Sequence, residues 1–126
     1  MKIIHMEDDV LKQSAISRAI RGVGNVEIDW VKDMESGLEK IQEAADKGMP
    51  YDLAITDMQY PLSKDEDINP EAGEIFMKKI KDLDINLPII VCSSINMQYA
   101  DAHGCVWYND SHNWERDMVS LVKKIS

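Results

Sequence analysis

The chain has 126 residues and a formal net charge of −9, and 44% of its residues are hydrophobic. This length suits one core, so we predict a single domain over residues 1–126. The acidic balance argues against nucleic acid as a direct partner, because phosphate binding needs a basic surface. No apolar run approaches the roughly 18 residues of a membrane helix. With no signal peptide pattern at the start, and with Cys92 and Cys105 in apolar runs, we expect a cytoplasmic protein with reduced thiols.

Five short apolar runs bounded by turn residues predict five strands. They cover residues 2–6, 26–31, 53–55, 87–92 and 105–108. The second run alternates apolar with acidic residues, as an edge strand does, and the fourth is the most apolar, which favours the middle of a sheet.

Helical patterns follow the five runs. Asp9 and Asp33 are suited to cap the first two helices, and Asn69-Pro70 resembles the start of the third. Residues 97–103 form a weak helical pattern, whereas the pattern over residues 114–125 is clear. The expected apolar face of the first helix consists of Leu11, Ala15, Ala19, Ile16, Ile20 and Val23.

This alternation of strand and helix predicts an α/β fold. Parallel strands joined by right-handed crossovers give a doubly wound five-stranded sheet with helices on both faces. The common strand order for such a sheet is 2-1-3-4-5, and its ligand crevice lies at the carboxyl ends of strands 1 and 3. We therefore look for function at those two strand ends.

Carboxylates occupy both of these positions. Glu7 and Asp8 follow the first strand, and Asp57 follows the third. Converging carboxylates repel one another unless a cation neutralises them, and an all-oxygen set suits Mg²⁺. The hydroxyl of Ser93 ends the fourth strand, so a carboxylate, a metal and a hydroxyl are available to stabilise a phosphoryl group on Asp57. The alternative is that these acids are only turn and helix-capping residues.

At these positions the sequence resembles the receiver domain of bacterial two-component response regulators, over its whole length. The matching stretches are residues 3–9 (IIHMEDD), 57–61 (DMQYP) and 87–93 (LPIIVCS). The resemblance implies that Asp57 is the phosphoacceptor and that Ser93 is the switch hydroxyl. It also implies that Mg²⁺ is held by Glu7, Asp8, Asp57 and the backbone carbonyl of Gln59, and that the phosphoryl donor is a sensor histidine kinase or a phosphotransfer protein.

The chain departs from the family pattern in two ways. Receivers normally carry a lysine at the end of strand 5, but no lysine lies between Lys81 and Lys123, so we expect an atypical site without that ammonium. The usual glycine after strand 3 is matched only by Gly73, which leaves a longer acidic loop over residues 62–72. The switch aromatic of strand 5 is either Trp107 or Tyr108.

Three functional interpretations follow. The first is a phosphoacceptor signalling domain that acts through protein contacts and has no enzymatic activity beyond its own phosphorylation and dephosphorylation. The second is a pseudo-receiver, a protein-interaction module that works without phosphorylation. The third is a small Mg²⁺-dependent phosphohydrolase, which Gln59 disfavours because no second acid stands two residues after Asp57. His5 and Trp30 are expected to be packing residues.

Overall fold

The computed structural model describes residues 1–125. Five strands form the main sheet, and two short ones pair with each other after the third. The strands are β1 (Lys2–Met6), β2 (Glu27–Val31), β3 (Leu53–Thr56), β4 (Tyr60–Pro61), β5 (Ile68–Asn69), β6 (Ile89–Ser93) and β7 (Gly104–Trp107). The helices are α1 (Val10–Arg21), α2 (Met34–Asp46), α3 (Ala72–Asp82) and α4 (Trp114–Ile125).

The main sheet has the order β2-β1-β3-β6-β7, and all of its pairs are parallel. Numbered among the five long strands alone, this is the predicted order 2-1-3-4-5, and β2 is an edge strand as predicted. The most apolar strand, β6, is interior, but β3 is the central one. The carboxyl ends of β1 and β3 are adjacent, because Met6 pairs with Thr56.

Helices cover both faces of the sheet, as predicted. Alternate residues of a strand point to opposite faces, so Ile3 and Ile4 of β1 enter different cores. Ile4 packs in the core that contains buried residues of α2 and α3, and Ile3 packs in the core that contains those of α1 and α4. Each fully buried side chain of this kind contributes roughly 1.5–3 kcal/mol, so the two cores hold the strand ends in place.

The start of the third helix was predicted wrongly. Asn69 is not its cap, because Asn69 pairs with Tyr60 in the β4–β5 hairpin, and the helix begins at Ala72. The Asn69 side chain instead accepts a hydrogen bond of 2.8 Å from the Glu71 backbone N–H. An Asn-Pro pair favours a turn as well as a helix start, and here the local turn satisfies the asparagine.

The weak helix over residues 97–103 is also absent. The chain between β6 and β7 is a series of bends and turns, and within residues 1–125 only four helices form. Met97 is exposed, and Tyr99 and Ala102 are only partly buried against the core, so a helix here would bury little apolar surface, and packing is what stabilises short helices. None of the described helices is long and apolar enough to cross a membrane.

The apolar face of α1 is rotated from the expected one. Leu11, placed on that face by the sequence pattern, is 82% exposed, whereas Lys12, Ile16 and Ile20 are buried. These three residues are spaced by four, so a lysine occupies the first buried position of the helix. The two cysteines are free, and Cys92 is buried, as predicted.

Candidate functional site

The acidic residues converge at the carboxyl edge of the sheet. Backbone hydrogen bonds extend the ladder past the strands, from the Glu7 N–H to the Val31 carbonyl (3.0 Å) and from the Asp57 N–H to the Met6 carbonyl (3.2 Å). Carboxylate oxygens of Glu7, Asp8 and Asp57 consequently lie within 4.8 Å of one another. The prediction that these three residues come together is confirmed.

Glu7 is the buried member of this acidic cluster, with 1% of its surface exposed. The indole N–H of Trp30 donates to the backbone carbonyl of Glu7 (2.7 Å), and the Asp9 backbone N–H donates to Glu7 Oε2 (3.2 Å). Burial raises the pKa of the Glu7 carboxyl well above its ordinary value, although Lys12 opposes this effect. Trp30, expected to be only a packing residue, therefore also fixes the backbone of the site.

Asp57 presents one bonded and one free oxygen. Its Oδ1 accepts a hydrogen bond from the Met58 backbone N–H (2.7 Å), and the Thr56 hydroxyl donates to its carbonyl (2.8 Å). Its Oδ2 accepts no hydrogen bond from any of residues 1–125, and 14% of the side chain is exposed. This free oxygen is the atom available for a nucleophilic reaction.

Gly73 fixes the backbone of Asp57 from the other side. A Cβ on Gly73 would lie 2.7 Å from the Asp57 carbonyl oxygen and 2.5 Å from the Met58 sulphur, so only glycine fits without a shift. Its N–H also donates to the Met58 carbonyl (3.1 Å). Gly73 thus allows a close approach of the two backbone segments, although the loop before it is long.

An ammonium group lies inside the acidic cluster, contrary to the expectation that the site has none. Lys12 Nζ is 2.9 Å from Glu7 Oε1, 3.2 Å from Asp57 Oδ1 and 2.9 Å from the Cys92 carbonyl oxygen. The contact with Glu7 is ionic, since Oε1 accepts no well-angled hydrogen bond. Burial lowers the pKa of Lys12, but Asp57 and Glu7 outweigh it and hold the pKa above its ordinary value. The ammonium is therefore charged.

The cap of α1 directs Lys12 towards the acids. Asp9 adopts an extended conformation, and its Oδ1 accepts hydrogen bonds from the backbone N–H groups of Leu11 (2.9 Å) and Lys12 (3.2 Å). Lys12 is the third residue of the helix, so this cap orients its backbone directly. Side chains in a helix lean towards its N-terminus, which here faces the ends of β1 and β3.

The remaining predicted site residues lie at the same edge. Ser93 is buried at the end of β6, and its Oγ accepts a hydrogen bond from the Ile95 N–H (3.1 Å). Gln59 is exposed in the turn between β3 and β4. Cys92 is no nucleophile, because burial raises the pKa of its thiol to about 12.

Aromatic residues occupy the end of β7, where the receivers that the sequence resembles normally carry a lysine. The Trp107 indole N–H donates to the Ser94 carbonyl (3.1 Å), and the Trp107 ring stacks on His112. The Tyr108 ring lies over the ammonium of Lys12, with 5.4 Å between the nitrogen and the ring centroid. Tyr108 is thus the strand-end aromatic that contacts the site.

The donor set fits a hard divalent cation. All three carboxylates of the acidic cluster offer oxygen, and their mutual spacing within 4.8 Å permits them to share one ion. Lys12 neutralises one unit of charge and contacts Glu7 and Asp57, so Asp8 and the free oxygen of Asp57 remain open to a ligand.

No protein-family model matches the chain. A curated relative, the two-component response regulator ORR41 of Oryza sativa subsp. japonica, is 23% identical over 94 residues, which are 75% of this chain and 66% of that protein. The response regulatory domain of mrkE from Klebsiella pneumoniae superposes with a TM-score of 0.74 at 18% identity, over 99% of this chain and 94% of that one. The chemotaxis response regulator CheY4 of Vibrio cholerae gives 0.71 at 16% identity, over 99% and 98%.

The chain has the receiver-domain fold. At these identities the likeness concerns architecture, and the residues of the site have to be judged on their own geometry. The receiver fold brings the predicted acids together, and it also brings in Lys12, Trp30 and Gly73, whose contacts sequence reasoning missed. One signal for Lys12 was present, since Lys12, Ile16 and Ile20 repeat at the helical spacing of four.

Proposed function

We propose that this chain is a signalling domain that accepts a phosphoryl group on Asp57. The observation that carries the proposal is the acidic cluster at the carboxyl edge of a receiver fold, with the free Oδ2 of Asp57 directly after the central strand. Crevices at this edge are where doubly wound sheets bind their ligands. The donor is a phosphohistidine of a sensor histidine kinase or a phosphotransfer protein.

The reaction is a displacement at phosphorus. Asp57 Oδ2 attacks, an O–P bond forms while the N–P bond of the phosphohistidine breaks, and the electron pair returns to the imidazole nitrogen. Asp57 Oδ1 keeps its hydrogen bond from the Met58 N–H, which orients the carboxyl during the attack. The Ser93 hydroxyl donates to a phosphoryl oxygen, because its Oγ only accepts in the bond with the Ile95 N–H and its own O–H remains available.

Glu7, Asp8, Asp57 and the backbone carbonyl of Gln59 would hold Mg²⁺ in this proposal. When bound, Mg²⁺ supplies positive charge to the transferred phosphoryl oxygens. Asp8 offers the most direct test, because no other described residue pairs with its carboxylate.

Incubation with acetyl phosphate and Mg²⁺, followed by intact mass, tests the proposal. We expect the wild type to gain the mass of one phosphoryl group and Asp57→Asn to gain none. Asp52→Asn is a matched control, since Asp52 lies just before β3, at the opposite end of that strand from Asp57, and its Oδ2 accepts a hydrogen bond from the Lys2 backbone N–H. Equal labelling of wild type and Asp57→Asn would contradict the proposal.

The second candidate is a pseudo-receiver that binds a protein partner without phosphorylation. The observation that favours it is Lys12, because an ammonium within the cluster offsets part of the carboxylate repulsion without any metal. This alternative predicts that the wild type gains no mass from acetyl phosphate at saturating Mg²⁺. It further predicts no NMR shift at Asp8 or Asp57 during a Mg²⁺ titration.

A further inference from the structure

We propose that Lys12 of α1 binds the phosphoryl group carried by Asp57, and that it passes the change in charge to the end of β6. This inference rests on the proposed function of Asp57. It assigns to the first helix a role for which receivers ordinarily use the strand corresponding to β7.

The ammonium of Lys12 already lies beside the carboxyl group of Asp57. Lys12 Nζ already lies 3.2 Å from Asp57 Oδ1, and Asp57 Oδ2 is the oxygen that remains free. A phosphoryl group on Oδ2 is attached to the same carboxyl group, so its oxygens come next to the ammonium. Phosphorylation replaces the single negative charge of the Asp57 carboxylate with a phosphoryl group that carries close to two, and a charged lysine binds that group strongly.

A buried ammonium in the first turn of α1 is energetically unfavourable by itself. Lys12 is 8% exposed, and it lies in the first turn of α1, where the helix dipole is unfavourable for a cation. An apolar side chain would satisfy the packing, as Ile16 and Ile20 do one and two turns further along. The ammonium is tolerated because of its acidic partners, which indicates a function at the acidic cluster rather than in the core.

Lys12 is also the cation that the described part of the chain places at these carboxylates. Among residues 1–125, no other lysine or arginine nitrogen lies within 4.0 Å of a Glu7 or Asp57 carboxylate oxygen. The end of β7 offers Trp107 and Tyr108, which carry no positive charge. Tyr108 covers the ammonium instead, and the negative face of its ring favours a cation at that position.

Lys12 is connected to β6 through the backbone carbonyl of Cys92. Lys12 Nζ makes ionic contacts with Glu7 and Asp57 and donates a hydrogen bond to the Cys92 carbonyl, which is the neutral partner of the three. An ammonium is attracted more strongly to negative oxygens than to a neutral carbonyl, so Lys12 releases the Cys92 carbonyl first when it turns towards a phosphoryl oxygen. The next residue is Ser93, and the Ser93–Ile95 turn therefore receives the change.

The experiment uses beryllofluoride, a phosphoryl mimic, with Mg²⁺ and the full chain. Apparent affinity and amide shifts are measured by NMR for the wild type, Lys12→Met, Asp57→Asn and Lys47→Met. Methionine keeps the apolar stem of lysine and removes the charge. Lys47→Met is the matched control, because Lys47 makes a comparable ion pair with Glu43 on the exposed side of α2.

We expect Lys12→Met to bind beryllofluoride at least about tenfold more weakly than the wild type, because a charge-assisted hydrogen bond is lost. Its shifts at residues 92–95 should disappear, and Lys47→Met should behave as the wild type. Equal affinity and equal shifts in Lys12→Met would overturn the role of Lys12 and leave the proposed function intact. A wild type that binds no beryllofluoride would overturn both.

A second measurement covers the case in which Lys12→Met does not fold. The side-chain resonances of Lys12 are followed in the wild type before and after beryllofluoride is added. A shift of the Lys12 signals together with the Asp57 amide supports direct contact. A shift of the Asp57 amide with unchanged Lys12 signals overturns the role of Lys12 alone.

Discussion

The carboxyl ends of β1 and β7 differ in what they bring to the same edge of the sheet. The end of β1 leads through Glu7 and Asp8 into α1, so carboxylates and the Lys12 ammonium all come from residues 7–12. The end of β7 contributes aromatic rings, with Trp107 stacked on His112 and Tyr108 packed on Trp114. The ionic function of the site is therefore centred on β1, and the end of β7 forms an apolar cover.

The proposal for Lys12 implies that a charge required at a site need not come from the usual strand. Lys12 and the end of β7 approach the acidic cluster from different elements, and Tyr108 lies next to the ammonium. What matters physically is the distance between the charges and the polarity around them. The following predictions test this division between the two strand ends, beginning with the largest expected effect.

Lys12→Met should lower the free energy of unfolding by about 3 kcal/mol near neutral pH, because it leaves buried Glu7 without its ionic partner. Urea unfolding with a chelator present measures this change. The double variant Glu7→Gln/Lys12→Met should recover most of the loss, and Lys47→Met should show no measurable change. A Lys12→Met protein as stable as the wild type would mean that the pair contributes nothing to folding.

His5 should make the protein lose stability in acid. Its side chain is buried, neither ring nitrogen has a hydrogen-bond partner, and burial, with the charge of Lys12, lowers its pKa from 6.5 to about 3. Between these values the unfolded chain binds a proton that the folded chain does not. Stability present above pH 6.5 is therefore lost as the pH falls towards 3, by roughly 1.4 kcal/mol per unit.

Glu7 has the opposite effect on stability over part of this range. Its pKa is raised on folding, so its contribution to the free energy of unfolding increases as the pH falls. The informative quantity is thus the difference between the wild type and His5→Leu in metal-free urea unfolding at about pH 7.5 and about pH 5. His5→Leu should gain stability relative to the wild type as the pH falls. Parallel curves for the two proteins would show that His5 is protonated in the fold.

Asp57→Asn should raise the free energy of unfolding of the metal-free protein by up to about 1 kcal/mol, because it removes one of three crowded carboxylates. The gain is limited because Asp57 also attracts Lys12. Urea unfolding with a chelator measures it, and Asp52→Asn is the control. A clear loss of stability would indicate that Asp57 is chiefly a structural turn residue.

Asn109→Lys, which restores a lysine after β7, should change the beryllofluoride affinity by less than about twofold, since an ammonium is already in place. Asn109 is engaged in its own turn, where its Oδ1 accepts hydrogen bonds from the backbone N–H (2.9 Å) and hydroxyl (2.6 Å) of Ser111. An NMR titration of both proteins provides the comparison. A much stronger response in Asn109→Lys would show that Lys12 does not fill the family's position.

The sequence predicted the sheet order and the meeting of Glu7, Asp8 and Asp57 because both depend on regular patterns. Alternating apolar runs determine the topology, and topology determines which strand ends are neighbours. The predictions of a helix start at Asn69-Pro70 and of a helix over residues 97–103 were wrong because each local pattern is compatible with more than one backbone conformation. Asn69-Pro70 satisfies a turn as well as a helix start, and residues 97–103 bury too little apolar surface for their weak pattern to form a helix.

Lys12 was missed for a different reason. Lysine is rarely buried without a partner, so a charged residue beside an apolar face is ordinarily placed in solvent. Its partners lie at Glu7, Asp57 and Cys92, and the last two are far away in the chain, so only the folded arrangement brings them together. Leu11 is exposed for the same reason, because the buried face of α1 is rotated from the predicted one towards Lys12.

The acidic stretch after β4 is anchored at both ends. The Leu62 carbonyl accepts a hydrogen bond from the Glu35 N–H (2.9 Å), and Gly73 holds the other end against Met58 (3.1 Å). Between these anchors the chain is mostly exposed, and Asp65 adopts a left-handed conformation with φ of 66°. Loop length has only a slow effect on closure entropy, so this stretch is the natural place to insert an epitope or a reporter peptide without displacing Asp57.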